Sequence, residues 1–301
     1  MNRNPMNFPL LREFGSTGLQ VSALGFGAGH IGGNELTEAE AAKLLHGLLD
    51  LGINLIDTAR GYGLSEERIG RHLQQRRHEF VLSTKIGYGI EGYDDWTSPI
   101  ITAGIDAALQ RMHTDYLDIV HFHSCPVETL RAGEVIEALE RAVQAGKVRV
   151  AAYSGDNAPL AWAVQSGHFG AIECSVNLAD QRVISQVLPQ TQQRQIGVIA
   201  KRPVANVAWR FAQRPVGDYA EVYWERLQAM QLDFDPERLL DIALRFTAYT
   251  PGVHSCIVGS RSLEHMQHNL ALLQQGPLEP QLYAYLSSQF QTNDQGWVGQ
   301  I

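Results

Sequence analysis

Residues 54–59 read NLIDTA, residues 80–87 FVLSTKIG and residues 117–123 LDIVHFH. Each is a short apolar, β-branched run with a polar residue near its end, and each is followed by a longer segment whose apolar positions recur at helical spacing. The pattern extends forward to VRVAAYS from Val148, AIECSVN from Ala171, GVIAKRP from Gly197 and SCIVGS from Ser255, and back to ALGFGA from Ala23, making eight strand candidates. Between most of them lies an amphipathic helix with a stop signal, such as Thr37 to Asp50 before Gly52, or Thr129 to Ala145 before Gly146. Strand then helix, repeated at this spacing, predicts parallel strands joined by crossovers and closed as a (β/α)8 TIM barrel.

No composition break, low-complexity tract or Pro/Ser linker divides the 301 residues, so residues 1–301 read as a single domain. Ahead of the first unit, LREFGSTGLQVSALG carries two short strand candidates either side of Ser16-Thr17-Gly18, which predicts a β-hairpin closing the bottom of the barrel. The stretch from Asn206 to Asp235, with Trp209, Pro215, Gly217, Tyr219, Tyr223 and Trp224, breaks the pattern and reads as an inserted helix or a lid.

Composition narrows the function. Hydrophobic residues make up 45% and charged residues 19%, enough to build a large core and too few charges for a disordered chain. With 24 Lys and Arg against 32 Asp and Glu, the net charge is -8, so no general basic field favours nucleic acid. Cys125, Cys174 and Cys256 stand far apart with no metal-like clustering, as expected in a reducing cytoplasmic compartment. The opening MNRNPMNFPL has no apolar core after a basic start, and no later segment reads as a membrane span, so a protein that is not exported and has no membrane partner is expected.

Gly27, Gly29 and Gly32 satisfy G-x-G-x-x-G after a strand candidate, the pattern of a dinucleotide-binding turn. In that motif the last glycines open the helix, whereas here a Thr37–Glu40 capping box places the helix start further on. The glycines are therefore read as a flexible first loop at the barrel top.

Barrel enzymes act at the C-terminal ends of their strands. Asp57 ends the second strand candidate, Tyr62 follows in its loop, Lys85 ends the third and His123 the fourth. Singly, each has an ordinary reading: a turn cap, a packed ring, a snorkelling amine, a satisfied core imidazole. Together on adjacent strands they suit proton donation to a carbonyl, with Tyr62 as acid, Lys85 stabilising its phenolate, Asp57 keeping Lys85 charged, and His123 orienting the substrate oxygen. No metal-ligand spacing and no G-x-S-x-G turn is present, so neither a metal nor a serine nucleophile is expected.

GINLIDTARGYGLSEERIGRHL, from Gly52 to Leu73, resembles the signature of the aldo-keto reductase superfamily, whose catalytic Asp and Tyr match Asp57 and Tyr62. FGSTGLQVSALGFG is similar to the family's opening hairpin and first strand, STKIG supplies the family Lys as Lys85, and YLDIVHFHS its His as His123, five residues after Asp118; His121 is assigned to the opposite face. The resemblance implies a barrel reductase that binds NADP(H), with NAD(H) left open, and interconverts a small-molecule aldehyde, ketone or sugar with its alcohol by hydride transfer.

The resemblance also implies a set of cofactor-binding residues. Ser154 matches the family's nicotinamide-carboxamide strand, with Gly155 in place of an Asn. Glu173 falls where a carboxamide-binding Gln is expected, with Asn177 further along, and Lys201, followed by Arg202, stands where many members stack a Tyr. CIVGSRSLEHMQHN resembles the adenosine site, with Gly259, Ser260 and Arg261 near the 2′-phosphate, His265 at the place of a phosphate-binding Arg, and Asn269 near the adenine. His30, Trp96 and the Asn206 to Asp235 stretch are expected to line the pocket. Two other functions fit parts of the pattern: a cofactor-binding regulatory subunit of the same fold, and a Schiff-base aldolase using Lys85. The sequence assigns no oligomeric state.

Overall fold

Alternating side chains send each strand's apolar residues in two directions, and the barrel follows from satisfying both. The computed structural model describes residues 11–301; the opening decapeptide, read above for export signals, lies outside the described residues. Strands β1 (Leu11–Glu13) and β2 (Gln20–Ser22) form an antiparallel hairpin. Strands β3 (Leu24–Gly27), β4 (Leu55–Asp57), β5 (Val81–Ile86), β6 (Leu117–His123), β7 (Val148–Ser154), β8 (Ala171–Ser175), β9 (Gly197–Lys201) and β10 (Ser255–Val258) follow in order around a closed parallel barrel, with β10 pairing back onto β3. The expected (β/α)8 barrel and its hairpin are both present.

Outward-facing Phe26, Ile56, Leu82, Val120, Phe122, Ile172 and Val198 pack with helix residues such as Leu45, Leu48, Ile69 and Ile105 in one continuous core. Inward-facing Leu55, Val81, Ile119, Val150, Ala171, Ile199 and Ile257 instead meet Phe14, Leu19 and Val21 of the hairpin. The hairpin thus plugs the bottom of the barrel. Its Phe14 ring lies 2.6 Å from where a Cβ on Gly197 would stand, so a side chain at that strand start would displace the plug.

The first barrel helix runs Glu38–Asp50 behind the Thr37 cap, with the Thr37–Glu40 capping box formed, so Gly27, Gly29 and Gly32 do not open a helix. Ala28–Ile31 forms a 3-10 turn instead. The single helix expected over Thr129 to Ala145 is two, Val127–Ala132 and Glu134–Gln144, broken at Gly133, whose φ of 85° is left-handed and outside a helix. The irregular stretch contains a helix, Glu221–Met230, which buries Tyr223, Leu227 and Met230. Tyr223 and Leu227 belong to a second apolar cluster with Leu239, Phe246 and Leu286, and the loop ahead of the helix lies over the mouth of the barrel.

Candidate active site

Above the hydrophobic plug, the inward-facing positions turn polar. Asp57 follows Leu55, Lys85 follows Val81 by four residues, and Ser154 and Glu173 continue the inner faces of Val150 and Ala171. His121 and His123 both continue the face of Ile119, so the assignment of His121 to the opposite face is corrected: residues two apart on a strand share a face.

These side chains build one buried charge cluster. Lys85, 2% exposed, pairs with Asp57 through a short Nζ–Oδ2 contact, donates to the Thr58 carbonyl at 3.1 Å, and lies 3.3 Å from Glu173 Oε2. Ser83 Oγ donates to Asp57 Oδ1 at 2.7 Å and lies 3.0 Å from His121 Nε2, and Ser154 Oγ donates to Glu173 Oε1 at 3.2 Å. Closure of the barrel pairs Glu173 with Lys85, while Lys201 pairs with the buried Asp156 at 2.9 Å. Asp57, His121 and Glu173 offer donor atoms within 4.8 Å of one another, yet the positive charge such a set requires is already supplied by the Lys85 ammonium in contact with both carboxylates.

Two carboxylates on one buried ammonium titrate as a coupled system. Burial, reinforced by the Glu173 charge, outweighs Lys85 and pushes Asp57 up to about 7. At Glu173 burial is overcome by Lys85 and His121, and the carboxyl falls to about 2. Burial also opposes the charge on Lys85, but Asp57 and Glu173 prevail and hold the ammonium well above its ordinary range. Burial and then Lys85 lower His123 to about 4, so its imidazole is neutral at pH 7.

Tyr62 hangs over this cluster from the loop after β4, with Lys85 Nζ 5.4 Å from its ring centre and the His123 ring edge-on at 6.2 Å. Lys85 pulls its phenol down, but burial, Asp57 and Glu173 together outweigh that pull and leave it at about 12. The sequence predicts the first effect; burial and the two carboxylates together reverse the net direction. Tyr62, His123, Ser154 and Glu173 line a cavity of about 700 Å³ that extends past Lys201 to Gly259.

A closed parallel barrel with a tyrosine and a histidine lining one cavity above a buried lysine has recognisable relatives. The family model for the aldo/keto reductase family matches residues 23–289. The chain belongs to the aldo/keto reductase family. It is 28% identical over 286 residues to the L-galactose dehydrogenase of Arabidopsis thaliana, covering 87% of each chain. It is also 28% identical over 302 residues to a probable voltage-gated potassium channel β subunit of Oryza sativa subsp. japonica, covering 89% of this chain and 92% of that one. An aldo-keto reductase from Bacillus halodurans, solved in a holo form, superposes with a TM-score of 0.78 at 26% identity, over 93% of this chain and 95% of that one. With relatives named as dehydrogenases and reductases over most of its length, this aldo/keto reductase is an oxidoreductase.

In this aldo/keto reductase the remaining sequence-derived positions fall in two places. Arg202 is turned aside, its guanidinium bonded to Ser175 Oγ at 3.0 Å and to the Gln300 carbonyl, and stacked on Tyr219. Gly155 cannot be the family's Asn, because its Cβ would lie 2.6 Å from the Tyr153 hydroxyl. Asn177 is fully buried, with Oδ1 accepting from the Ala179 amide. At the far end, Ser262 caps the helix Leu263–Leu273 by accepting from the His265 amide, Ser260 Oγ accepts from the Ser262 amide at 3.0 Å, and Asn269 is buried on that helix. His265 Nδ1 lies 3.4 Å from Ser260 Oγ, and Arg261 is exposed with no ion pair among the described residues. His30 lines the cavity, as do Asn206, Arg210 and Tyr219 of the irregular stretch. Trp96 is not among the lining residues; its ring packs instead against Tyr88 and Phe122.

The glycines of the first loop set the Tyr62 position. Leu64 donates to the Gly32 carbonyl at 2.9 Å, and a Cβ on Gly32 would collide with the Tyr62 carbonyl oxygen. Gly32→Ala is therefore expected to displace Tyr62, and with Tyr62 in the acid role expected from the sequence, a displacement of about 1 Å lowers kcat on the order of 10²-fold. Gly61→Ala, where a Cβ meets nothing within 4 Å, should remain near wild type, and steady-state rates on both variants make the comparison.

Proposed function

We propose that the chain is an NADP-dependent reductase of small aldehydes, ketones or sugars, with Tyr62 as general acid, built as one barrel domain over residues 1–301. The observation that carries this reading is the Tyr62 phenol facing the cavity above an ammonium clamped between two carboxylates.

The cavity suits an extended dinucleotide. Gly259 lets the His30 ring sit against the backbone there, since a Cβ would strike that ring, and Arg261 with the amides at the start of the Leu263–Leu273 helix would offer donors to a phosphate. Ser154 and Glu173, which line the cavity, would hold the nicotinamide half, and Gly259, which also lines it, with Ser260, Arg261, His265 and Asn269 following along the chain, would hold the adenosine half. The reduced nicotinamide, when bound, supplies the hydride.

The chain's own residues supply the proton. A neutral His123 and the Tyr62 hydroxyl hold the carbonyl oxygen, and negative charge developing on that oxygen makes it more basic than a phenolate whose acid sits at about 12. Proton transfer from Tyr62 is then downhill, and Lys85 stabilises the phenolate that remains. The reverse reaction needs that phenolate first, so alcohol oxidation should require a higher pH than carbonyl reduction. Clamped as an ammonium, Lys85 has no lone pair for Schiff-base chemistry, which argues against an aldolase. Similarity to a channel β subunit supports the second reading, a cofactor-binding regulatory subunit; the full proton-transfer set favours turnover.

Tyr62→Phe should lower kcat at least about 10²-fold while cofactor affinity, followed by fluorescence titration, is retained; near-normal rates would remove Tyr62 from the reaction. Arg261→Ala should weaken NADPH binding by about tenfold or more and leave NADH binding nearly unchanged, because only the 2′-phosphate loses a charged hydrogen bond. Equal losses for both cofactors would make Arg261 structural.

A further inference from the structure

The loop after β5 places a second phenol on the histidine of this site. Tyr88 Oη lies 2.7 Å from His123 Nδ1, and the two rings stack with centres 5.4 Å apart at 27°. Neither residue type nor spacing marks Tyr88 as functional, and nothing in the proton-transfer scheme above uses it. The loop is nonetheless shaped to hold it there. Trp96 donates its amide to the Gly87 carbonyl at 2.8 Å and lays its ring edge-on to Tyr88 at 5.9 Å. Gly87 has φ of 134°, and a Cβ on it would collide with the Trp96 ring at 2.1 Å. Asp95 accepts from the Gly89 amide at 2.9 Å, and Arg60 donates twice to the Gly89 carbonyl, at 2.9 and 2.7 Å. Tyr88 is thus braced from both sides while its hydroxyl meets the imidazole.

A neutral imidazole has one donor and one acceptor nitrogen, and the partner of one nitrogen decides the role of the other. A phenol is a strong donor and a weak acceptor because its oxygen lone pair is delocalised into the ring, whereas an unprotonated imidazole nitrogen is a strong acceptor. The favoured pairing is therefore Tyr88 O–H to His123 Nδ1, which leaves the proton on Nε2. No other hydrogen bond to the His123 ring occurs among the described residues, and the ring lines the cavity. We propose that Tyr88 is a positioning residue that fixes His123 as the Nε2–H tautomer, so that the histidine presents a donor, and not a lone pair, to the carbonyl oxygen. This rests on the reading of the cavity as a carbonyl-reducing site, and it adds a determinant outside the Asp57, Tyr62, Lys85 and His123 set. A histidine of the opposite tautomer would repel the oxygen it is meant to hold.

The test separates the tautomer from turnover. Long-range ¹H–¹⁵N spectra of histidine-labelled protein, with the His123 signals assigned by their loss in His123→Gln, should show Nε2 protonated in wild type. In Tyr88→Phe, which keeps the stacked ring, they should show a mixture or the Nδ1–H form. The same variant should lose about tenfold in kcat, the effect of one hydrogen bond in the reaction, with KM and thermal stability close to wild type. Wild-type His123 protonated on Nδ1, an unaltered tautomer in Tyr88→Phe, or an altered tautomer with unchanged kcat would each overturn the proposal. If Tyr62→Phe retains activity while Tyr88→Phe still switches the tautomer, the carbonyl-reducing reading fails and the structural role of Tyr88 stands.

Discussion

A lysine ammonium buried inside a barrel must be neutralised where it stands, and Lys85 is neutralised twice. An isolated charge at that depth would lose its proton before it lost its water, so the contacts to Asp57 and Glu173 are a condition of the site's existence. Those contacts join three strands that the closed barrel brings to a common centre, with β4 and β5 adjacent in the sheet and β8 across from them. The hairpin plug below and the cavity above then divide the barrel interior into a dry apolar half and a polar half.

The same arrangement sets the chemistry. One positive charge between two negative ones gives a cluster that is anionic overall once Asp57 ionises near neutrality. The phenol above it is kept protonated by burial and by the two carboxylates, against the pull of Lys85. In the reaction proposed above, such a phenol would give up its proton only once the substrate oxygen has become strongly basic, which would tie proton delivery to hydride transfer. His121, beneath the cluster on Ser83, extends the same hydrogen-bonded core without reaching the cavity lining.

Much of this was legible in the sequence because it depends on period and spacing. Short apolar runs mark all eight barrel strands, and Asp57, Lys85 and His123 stand out at strand ends with Tyr62 in the loop after Asp57. What depends on closure was not legible: that Glu173 would face Lys85 requires β8 to lie across the barrel from β5, a distance of nearly ninety residues along the chain (85 to 173). The first-loop glycines were read as mere flexibility, whereas Gly32 is needed for a close backbone approach to Tyr62 that only coordinates reveal. Gly133 breaks a helix that apolar spacing carried straight through it, because its left-handed φ overrides the periodicity. Tyr88 meets His123 through a loop with no regular structure, for which sequence period offers no signal.

If a doubly paired Lys85 governs the acidity of Tyr62, removing the second carboxylate must make the phenol easier to ionise. The decisive measurement is the pH dependence of kcat/KM for alcohol oxidation, taken above pH 8, where Asp57 is ionised, in wild type and Glu173→Gln. Activity there rises with the fraction of phenolate, so the account predicts that the ascending limb moves to lower pH when the Glu173 charge is lost. A limb that stays in place, or moves to higher pH, would contradict the claim that the two carboxylates and the ammonium between them set the proton affinity of this site.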